Sequence, residues 1–100
     1  MVTLSLFVKL HAKPGKEEAL AAFLQEGLKL AQQEATTPVW FALRFDKSTF
    51  AIFDAFADEH GRQAHVNGPI AKALTAQAPQ LLSEPLAIER IEVLGAKLPG

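Results

Sequence analysis

The 100-residue sequence contains no cysteine, which excludes disulfide bonds, catalytic thiolates and cysteine-ligated metal sites. It also lacks an excess of charge of one sign. The formal net charge of −1 gives no electrostatic case for binding nucleic acid or an anionic membrane. No apolar stretch approaches the roughly 20 residues that a membrane-spanning helix needs. The first residues form no basic leader and alternate in polarity. We therefore expect a cytoplasmic protein without membrane or nucleic-acid partners.

Several motifs that carry chemistry are missing as well. The turn at 13–16 (Lys-Pro-Gly-Lys) has none of the spacings of a phosphate-binding loop. His60 and His65 are five residues apart, about 140° around a helix, so they cannot bind one ion together. His11 lies on another element, and no serine stands in a nucleophile motif. We expect no metal, haem, flavin or nucleotide cofactor.

The apolar residues repeat with a strand-like period in some segments and a helix-like period in others. Apolar residues at positions 4, 6, 8 and 10 repeat every second residue, which predicts a half-buried strand. Spacings of three and four then predict a helix over 16–34. Two strands rich in aromatic and β-branched residues follow over 39–45 and 49–57, and the short turn between them requires antiparallel pairing. The remaining predicted elements are a helix from Asp58 as N-cap to Val66, a helix over 69–78, a strand over 86–94 and a tail over 97–100.

This order of elements predicts one α+β domain spanning residues 1–100. The simplest packing is a ferredoxin-like split βαβ unit, a four-stranded antiparallel sheet with all helices on one face. Apolar side chains occur in both registers of the central hairpin, although the helices can cover only one face. We therefore expect a homodimer in which a second copy covers the other face.

The segment from Ala51 to Pro69 (AIFDAFADEHGRQAHVNGP) resembles the antibiotic biosynthesis monooxygenase domain family, and the similarity extends over nearly the whole chain. Asp54 matches the family's acidic position at the end of a strand, and His65 matches its first histidine. Phe56 stands where the family usually has a tryptophan. Asn67 to Pro69 (Asn-Gly-Pro) replaces a Ser-Pro-His-like segment. The resemblance implies a dimeric α+β barrel.

The resemblance also implies a range of activities. Some members of the family oxidise quinols or polycyclic hydroxyaromatic compounds with O₂ and use no metal, flavin or haem. Others degrade haem with an asparagine on the first strand, a tryptophan on the third and a histidine on the next helix. Here the first strand has no asparagine and Phe56 replaces the tryptophan, so haem degradation is not expected.

The candidate site residues each have a functional and a structural interpretation. His65 either lines a pocket as catalytic base or hydrogen-bond partner, or bonds a backbone carbonyl and holds the turn at Asn67. Arg44 and Asp54, on adjacent strands, form either a pair in a wet cavity beside a substrate or an ion pair at the dimer interface. Trp40 either stacks on an aromatic substrate or packs in the core. Phe56 and Asn67 are further candidates for substrate contact.

Two functions follow from these alternatives. The first is a cofactor-independent monooxygenase acting on a quinol-like or other electron-rich aromatic molecule, with His65 as the base and Arg44 stabilising a phenolate. The second is a non-catalytic homodimer that binds a small ligand or has a structural role. An apolar cavity beside His65 favours the first function, and a sealed core favours the second.

Overall fold

The computed structural model describes residues 1–99, so Gly100, the end of the predicted tail, lies outside the described residues. Each predicted helix and strand is present within this range. None of the described helices has the length and apolarity to cross a membrane. The elements are β1 (Leu4–His11), α1 (Glu17–Ala31), β2 (Val39–Arg44), β3 (Thr49–Phe56), α2 (Glu59–Val66), α3 (Pro69–Leu81) and β4 (Ala87–Glu92).

Two helix ends differ from the prediction, and one of them matters for the site. α1 ends at Ala31, three residues earlier than expected, because the chain turns at Gln32 and Gln33. This leaves Glu34 in a connection instead of on the helix. α3 runs past Pro79 to Leu81: the proline lacks the N–H that would bond the Thr75 carbonyl, but the helix continues for two more residues and Leu81 is buried in the core.

The strands form one antiparallel sheet in the order β2-β3-β1-β4. β1 lies in the middle and pairs with β3 on one side and β4 on the other. The β2–β3 pair is the predicted hairpin. With three helices on one face, the arrangement confirms the predicted α+β ferredoxin-like fold.

Alternation along β1 and β3 separates the two faces of the sheet. On the face covered by α1 and α3, the alternating side chains Val8, Leu10, Phe50 and Ile52 pack against Leu20, Leu24, Leu74 and Leu81. Asp54 continues the same row of β3, two residues beyond Ile52, and is buried as completely as its apolar neighbours. The helix-facing side chains of β3 therefore include both core residues and a buried carboxylate.

The opposite face, here called the open face, has no helix over it in the described chain. Phe41 and Leu43 of β2, Phe45 directly after β2, and Ile91 of β4 are exposed there. Phe41 stacks on Phe53 of β3 with ring centroids 6.5 Å apart. The described chain therefore presents a group of large apolar side chains to solvent on one side of its sheet.

Candidate functional site

Strand β3 places a carboxylate in the centre of the sheet. Asp54 lies opposite Leu6 of β1 and Trp40 of β2, on the helix-covered face, and only 1% of its surface is exposed. An ionised group in such a position is costly unless a charged or hydrogen-bonding partner meets it. The partner comes from the next helix along the chain.

Helix α2 supplies that partner as His65. The helix begins after Asp58, which serves as the predicted N-cap and accepts a hydrogen bond from the Gly61 amide at 3.0 Å. His65 lies in the last turn, is 7% exposed, and packs its ring against Phe56 at 5.4 Å between centroids. Its Nε2 lies 2.9 Å from Oδ2 of Asp54.

The connection between α1 and β2 brings a second carboxylate to the other side of the ring. Oε1 of Glu34 lies 2.6 Å from Nδ1 of His65 and also accepts a hydrogen bond from Oγ1 of Thr37 at 2.8 Å. Ionised carboxylates only accept hydrogen bonds, so the arrangement is satisfied by an imidazolium that donates from both nitrogens. We call Asp54, His65 and Glu34 the buried triad.

The electrostatics of the triad agree with this geometry. Burial of the imidazole lowers the pKa of His65, but the hydrogen bonds and charges of Asp54 and Glu34 outweigh it and raise that pKa above its ordinary value of 6.5. An imidazolium between two carboxylates gives the triad a formal charge of −1. Oδ1 of Asp54 and Oε2 of Glu34 are buried without a hydrogen-bond partner among the described residues. Each of these oxygens can accept a further hydrogen bond.

A cavity of about 440 Å³ opens beside Asp54 and His65, a volume typical of small-molecule sites. Its walls are mainly apolar and come from α2, α3 and the strands β1, β3 and β4 of the sheet. Lys72 and Thr75 of α3 add polar groups and are exposed. The main apolar side chains are Leu6, Val8, Ile52, Ile70, Leu74 and Ile88.

The triad does not form a metal site. Its two carboxylates contact opposite nitrogens of one ring, so the three groups lie in a row and do not converge on one point. Within residues 1–99, no three histidine, aspartate or glutamate side chains are grouped as ion ligands. The arrangement is suited to holding a charge and orienting a carboxylate.

Solved structures with the same fold place the chain among known proteins. The NE2512 protein of unknown function from Nitrosomonas europaea is 61% identical, with a TM-score of 0.97 over 100% of this chain and 97% of that one. The chain belongs to the family of NE2512 and has the antibiotic biosynthesis monooxygenase-like fold.

Two provisionally assigned antibiotic biosynthesis monooxygenases show the extent of this fold similarity. The protein from Nitrosomonas europaea has 16% identity and a TM-score of 0.82, covering 92% of this chain and 99% of its own. The protein from Chloroflexus aurantiacus has 21% identity and a TM-score of 0.72, covering 98% and 99%. No protein-family model matches the sequence, and no match is found among curated proteins.

On this antibiotic biosynthesis monooxygenase-like fold, the structure brings together two of the predicted site residues, Asp54 and His65, at one wall of the cavity. The histidine bonds two carboxylates and not a backbone carbonyl, so the alternative in which it holds the Asn67 turn is wrong. The expected role of His65 as a base also needs correction, because neither ring nitrogen is free to accept a proton.

Three other predicted contacts lie away from the cavity. Phe56 is fully buried beneath the imidazole and supports it from below. Trp40 packs against the apolar core, with its ring edge beside Gly27 of α1. Asn67 is exposed at the end of α2, where its backbone N–H donates to the backbone carbonyl of Gln63. None of the three lines the cavity.

The predicted proximity of Arg44 and Asp54 is wrong because of the hairpin register. Asp54 pairs with Trp40, whereas Arg44 pairs with Phe50, four residues and about 13 Å away along the strand. The guanidinium of Arg44 lies 2.9 Å from Oε2 of Glu18 and over the ring of Phe50. The cation that meets Asp54 is therefore His65, and Arg44 belongs to neither the cavity nor an ion pair with Asp54.

Glu34 is the site residue that the sequence did not indicate, since the helical pattern was extended through it. A signal was nevertheless present in two glycines, Gly61 inside α2 and Gly68 directly before α3. A Cβ on Gly61 would lie 2.9 Å from the carbonyl oxygen of Thr36, and one on Gly68 would lie 3.4 Å from Oε2 of Glu34. A glycine inside a helical pattern often marks a close approach of another segment. Here that segment is the connection carrying Glu34.

Proposed function

We propose that the protein is a cofactor-independent monooxygenase that oxidises a quinol-like or other electron-rich hydroxyaromatic molecule with O₂. One observation carries this proposal: a buried carboxylate oxygen, Oδ1 of Asp54, has no hydrogen-bond partner among the described residues, and its side chain lines an otherwise mainly apolar cavity. A hydroxyl group on an apolar ring supplies the missing donor and fills the remaining space. The fold similarity to provisionally assigned monooxygenases supports the same class of reaction.

In the proposed reaction the substrate supplies the electrons, and the protein supplies a base in a mainly apolar site. Asp54 accepts the hydroxyl proton, and the resulting phenolate passes one electron to O₂. The two radicals combine at the para carbon, and the proton on Asp54 returns to the peroxide. The hydroperoxide then loses water, formed from its outer oxygen, its proton and the para hydrogen. For 1-naphthol the balance is C₁₀H₈O + O₂ → C₁₀H₆O₂ + H₂O.

The buried triad divides the tasks in this reaction. Asp54 is the catalytic residue, because it is the triad member with an unpartnered oxygen in a side chain that lines the cavity. His65 is a positioning residue whose Nε2 lies 2.9 Å from Oδ2 of Asp54, so that Oδ1 is the carboxylate oxygen without a partner. Apolar side chains of α3 and β4 reduce the contact of the phenolate with water, which strengthens the electrostatic contacts made there.

The test measures O₂ uptake by the wild-type protein with 1-naphthol and other naphthols that have an open para position. We expect ¹⁸O from labelled O₂ in the quinone and in water. Asp54→Asn is expected to lower turnover about 10²-fold or more, the usual size of a general-base effect. Asp46→Asn is the matched control, because Asp46 lies in the exposed hairpin turn.

Two outcomes would count against the enzyme. Naphthol binding at Asp54 without O₂ uptake would support the alternative, a non-catalytic homodimer that binds a small ligand. Turnover that is unchanged in a folded Asp54→Asn variant would remove Asp54 from the mechanism. The triad itself favours neither function, since a carboxylate fixed by an imidazolium can bind a hydroxyl without accepting its proton.

We also propose that the protein is a homodimer in which a second copy covers the open face. Phe41, Leu43 and Phe45 are exposed there, and a dimer would remove them from water. Light scattering at low micromolar concentration should give twice the chain mass of 10.8 kDa. Phe45→Asp should give a monomer. Leu28→Asp should not, because Leu28 is a similarly exposed apolar residue on α1. A wild-type monomer would contradict the proposal.

A further inference from the structure

We propose that Glu34 is a second positioning residue of this site: it holds His65 as an imidazolium and thereby fixes the orientation of the Asp54 carboxylate at the cavity wall. The effect on turnover rests on the proposed function, whereas the effect on His65 does not. Glu34 is outside the residues that line the cavity, so it acts only through the histidine.

The contact between Glu34 and His65 is close and fixed from both sides. Oε1 of Glu34 lies 2.6 Å from Nδ1 of His65, and the Thr37 hydroxyl donates to the same oxygen. The side chain of Glu34 is 14% exposed. Close packing of α2 at Gly61 against the Thr36 carbonyl holds the connection in place. The Glu34 carboxylate is thus held at Nδ1 of His65 by its hydrogen bonds and by the packing of the connection against α2.

The charged groups around His65 favour its protonated form. Asp54 faces it from β3 and Glu34 from the α1–β2 connection. Arg62, one turn earlier on α2, pairs with Glu59 and points its other amino group to the Ser5 carbonyl. Lys72 of α3 lines the same cavity and is exposed. The two carboxylates are therefore the charged groups in direct contact with the ring.

Without the second carboxylate, the tautomer of a neutral His65 decides whether Asp54 keeps its hydrogen bond. A neutral imidazole has one N–H and one lone pair, so it can donate to only one of two acceptors. If it donates to residue 34, its lone pair faces Oδ2 of Asp54 and repels it. Asp54 then loses the contact that orients it. A negative charge at position 34 prevents this by keeping both ring nitrogens protonated.

Glu34→Gln removes the charge while leaving an oxygen that can accept from Nδ1. In ¹⁵N spectra of the ligand-free wild-type protein, we expect both ring nitrogens of His65 to stay protonated above pH 6.5. In Glu34→Gln we expect the titration midpoint to move to lower pH, with one nitrogen becoming unprotonated. Glu26→Gln, at an exposed position on α1, should leave the midpoint unchanged.

Turnover gives a second, separable readout. With a verified naphthol substrate, Glu34→Gln should lower kcat about 10- to 100-fold. This is the usual effect of removing a residue that acts by orienting another residue of the site. KM should change little, and the alkaline limb of the pH profile should move to lower pH. Glu34→Asp keeps the negative charge at position 34. The titration midpoint of His65 should therefore lie at higher pH in Glu34→Asp than in Glu34→Gln.

The NMR result decides the Glu34 proposal independently of the reaction. A His65 midpoint unchanged in a folded Glu34→Gln variant would overturn it. A wild-type midpoint at or below 6.5 would also overturn it, and this measurement needs no variant to fold. The expected NMR shift without turnover of any naphthol in the wild-type protein would refute the proposed function and leave the role of Glu34 supported.

Discussion

The helix-covered face of the sheet has two halves that are built differently. In the packed half, Leu10, Leu20, Leu24 and Phe50 are almost completely buried and contact one another across α1 and the sheet. In the cavity half, the same strand β3 carries Asp54, which meets His65 beside an opening of about 440 Å³. Only four residues of one strand separate close packing from a buried charge and a cavity.

The difference shows where the chain stabilises its fold and where it gives up stability. Close packing without a cavity yields the largest contribution per side chain. A buried triad with a formal charge of −1 loses hydration, and a cavity loses packing contacts. Proteins retain such unfavourable features mainly at sites that bind or react. The predictions below test whether the two halves have these separate roles.

The largest expected effect is in the packed half. Leu20→Ala should lower the free energy of unfolding by about 2–5 kcal/mol, because Leu20 is fully buried and its removal leaves a hole in a filled core. Ile88→Ala in the cavity wall should cost about 1 kcal/mol or less, since Ile88 is 48% exposed and already borders open space. Urea unfolding measures both, and equal losses would contradict the division into two halves.

The next effect concerns the connection that carries Glu34. Gly61→Ala places a methyl group 2.9 Å from the Thr36 carbonyl, so α2 and the connection must separate. We expect a loss of about 1–3 kcal/mol in the free energy of unfolding, as for overpacked sites. Gly95→Ala is the control, because a Cβ there meets nothing within 4 Å. A stability gain in Gly61→Ala, as expected for a free helical glycine, would show that the close contact is not present.

The fold could be predicted from the sequence because it depends on local periodicity. Alternation in β1 and the helical spacing in α1 identified the elements, and the short hairpin turn required antiparallel β2 and β3. Errors were confined to the ends of elements. One of them, the end of α1, concealed Glu34, because a helix pattern does not show where the chain turns away.

The site could be predicted only in part, because its contacts connect residues distant in the sequence. Asp54 and His65 were found through the family resemblance, eleven positions apart. Glu34 is 31 residues from His65, and no local pattern joins them. Arg44 was misplaced because a hairpin register fixes which residues are opposite, and the sequence left that register open.

The third prediction uses pH to detect the triad. Because the pKa of His65 is raised on folding, its contribution to stability is complete below about 6.5 and is lost as the pH rises through the folded-state pKa. The free energy of unfolding should therefore fall on the alkaline side, by at most about 1.4 kcal/mol per pH unit for one proton. His65→Gln should remove this slope, whereas His60→Gln should retain it. A wild-type slope of opposite sign would contradict a raised pKa.

The smallest effect is expected at Arg44, which the sequence placed in the site and the structure places in the packed half. The guanidinium is partly exposed, its partner Glu18 is 81% exposed, and the ring of Phe50 lies beneath it. Exposed ion pairs and cation–π contacts typically contribute roughly 0.5 kcal/mol each, so Arg44→Gln should lower the free energy of unfolding by about 1 kcal/mol. Naphthol affinity should be unchanged, because Arg44 lies about 13 Å along the strand from the position opposite Asp54. Calorimetric titration of naphthol into Arg44→Gln and Asp54→Asn makes the comparison direct. Weaker binding in Arg44→Gln but not in Asp54→Asn would move the ligand to the packed half and reverse the roles of the two halves.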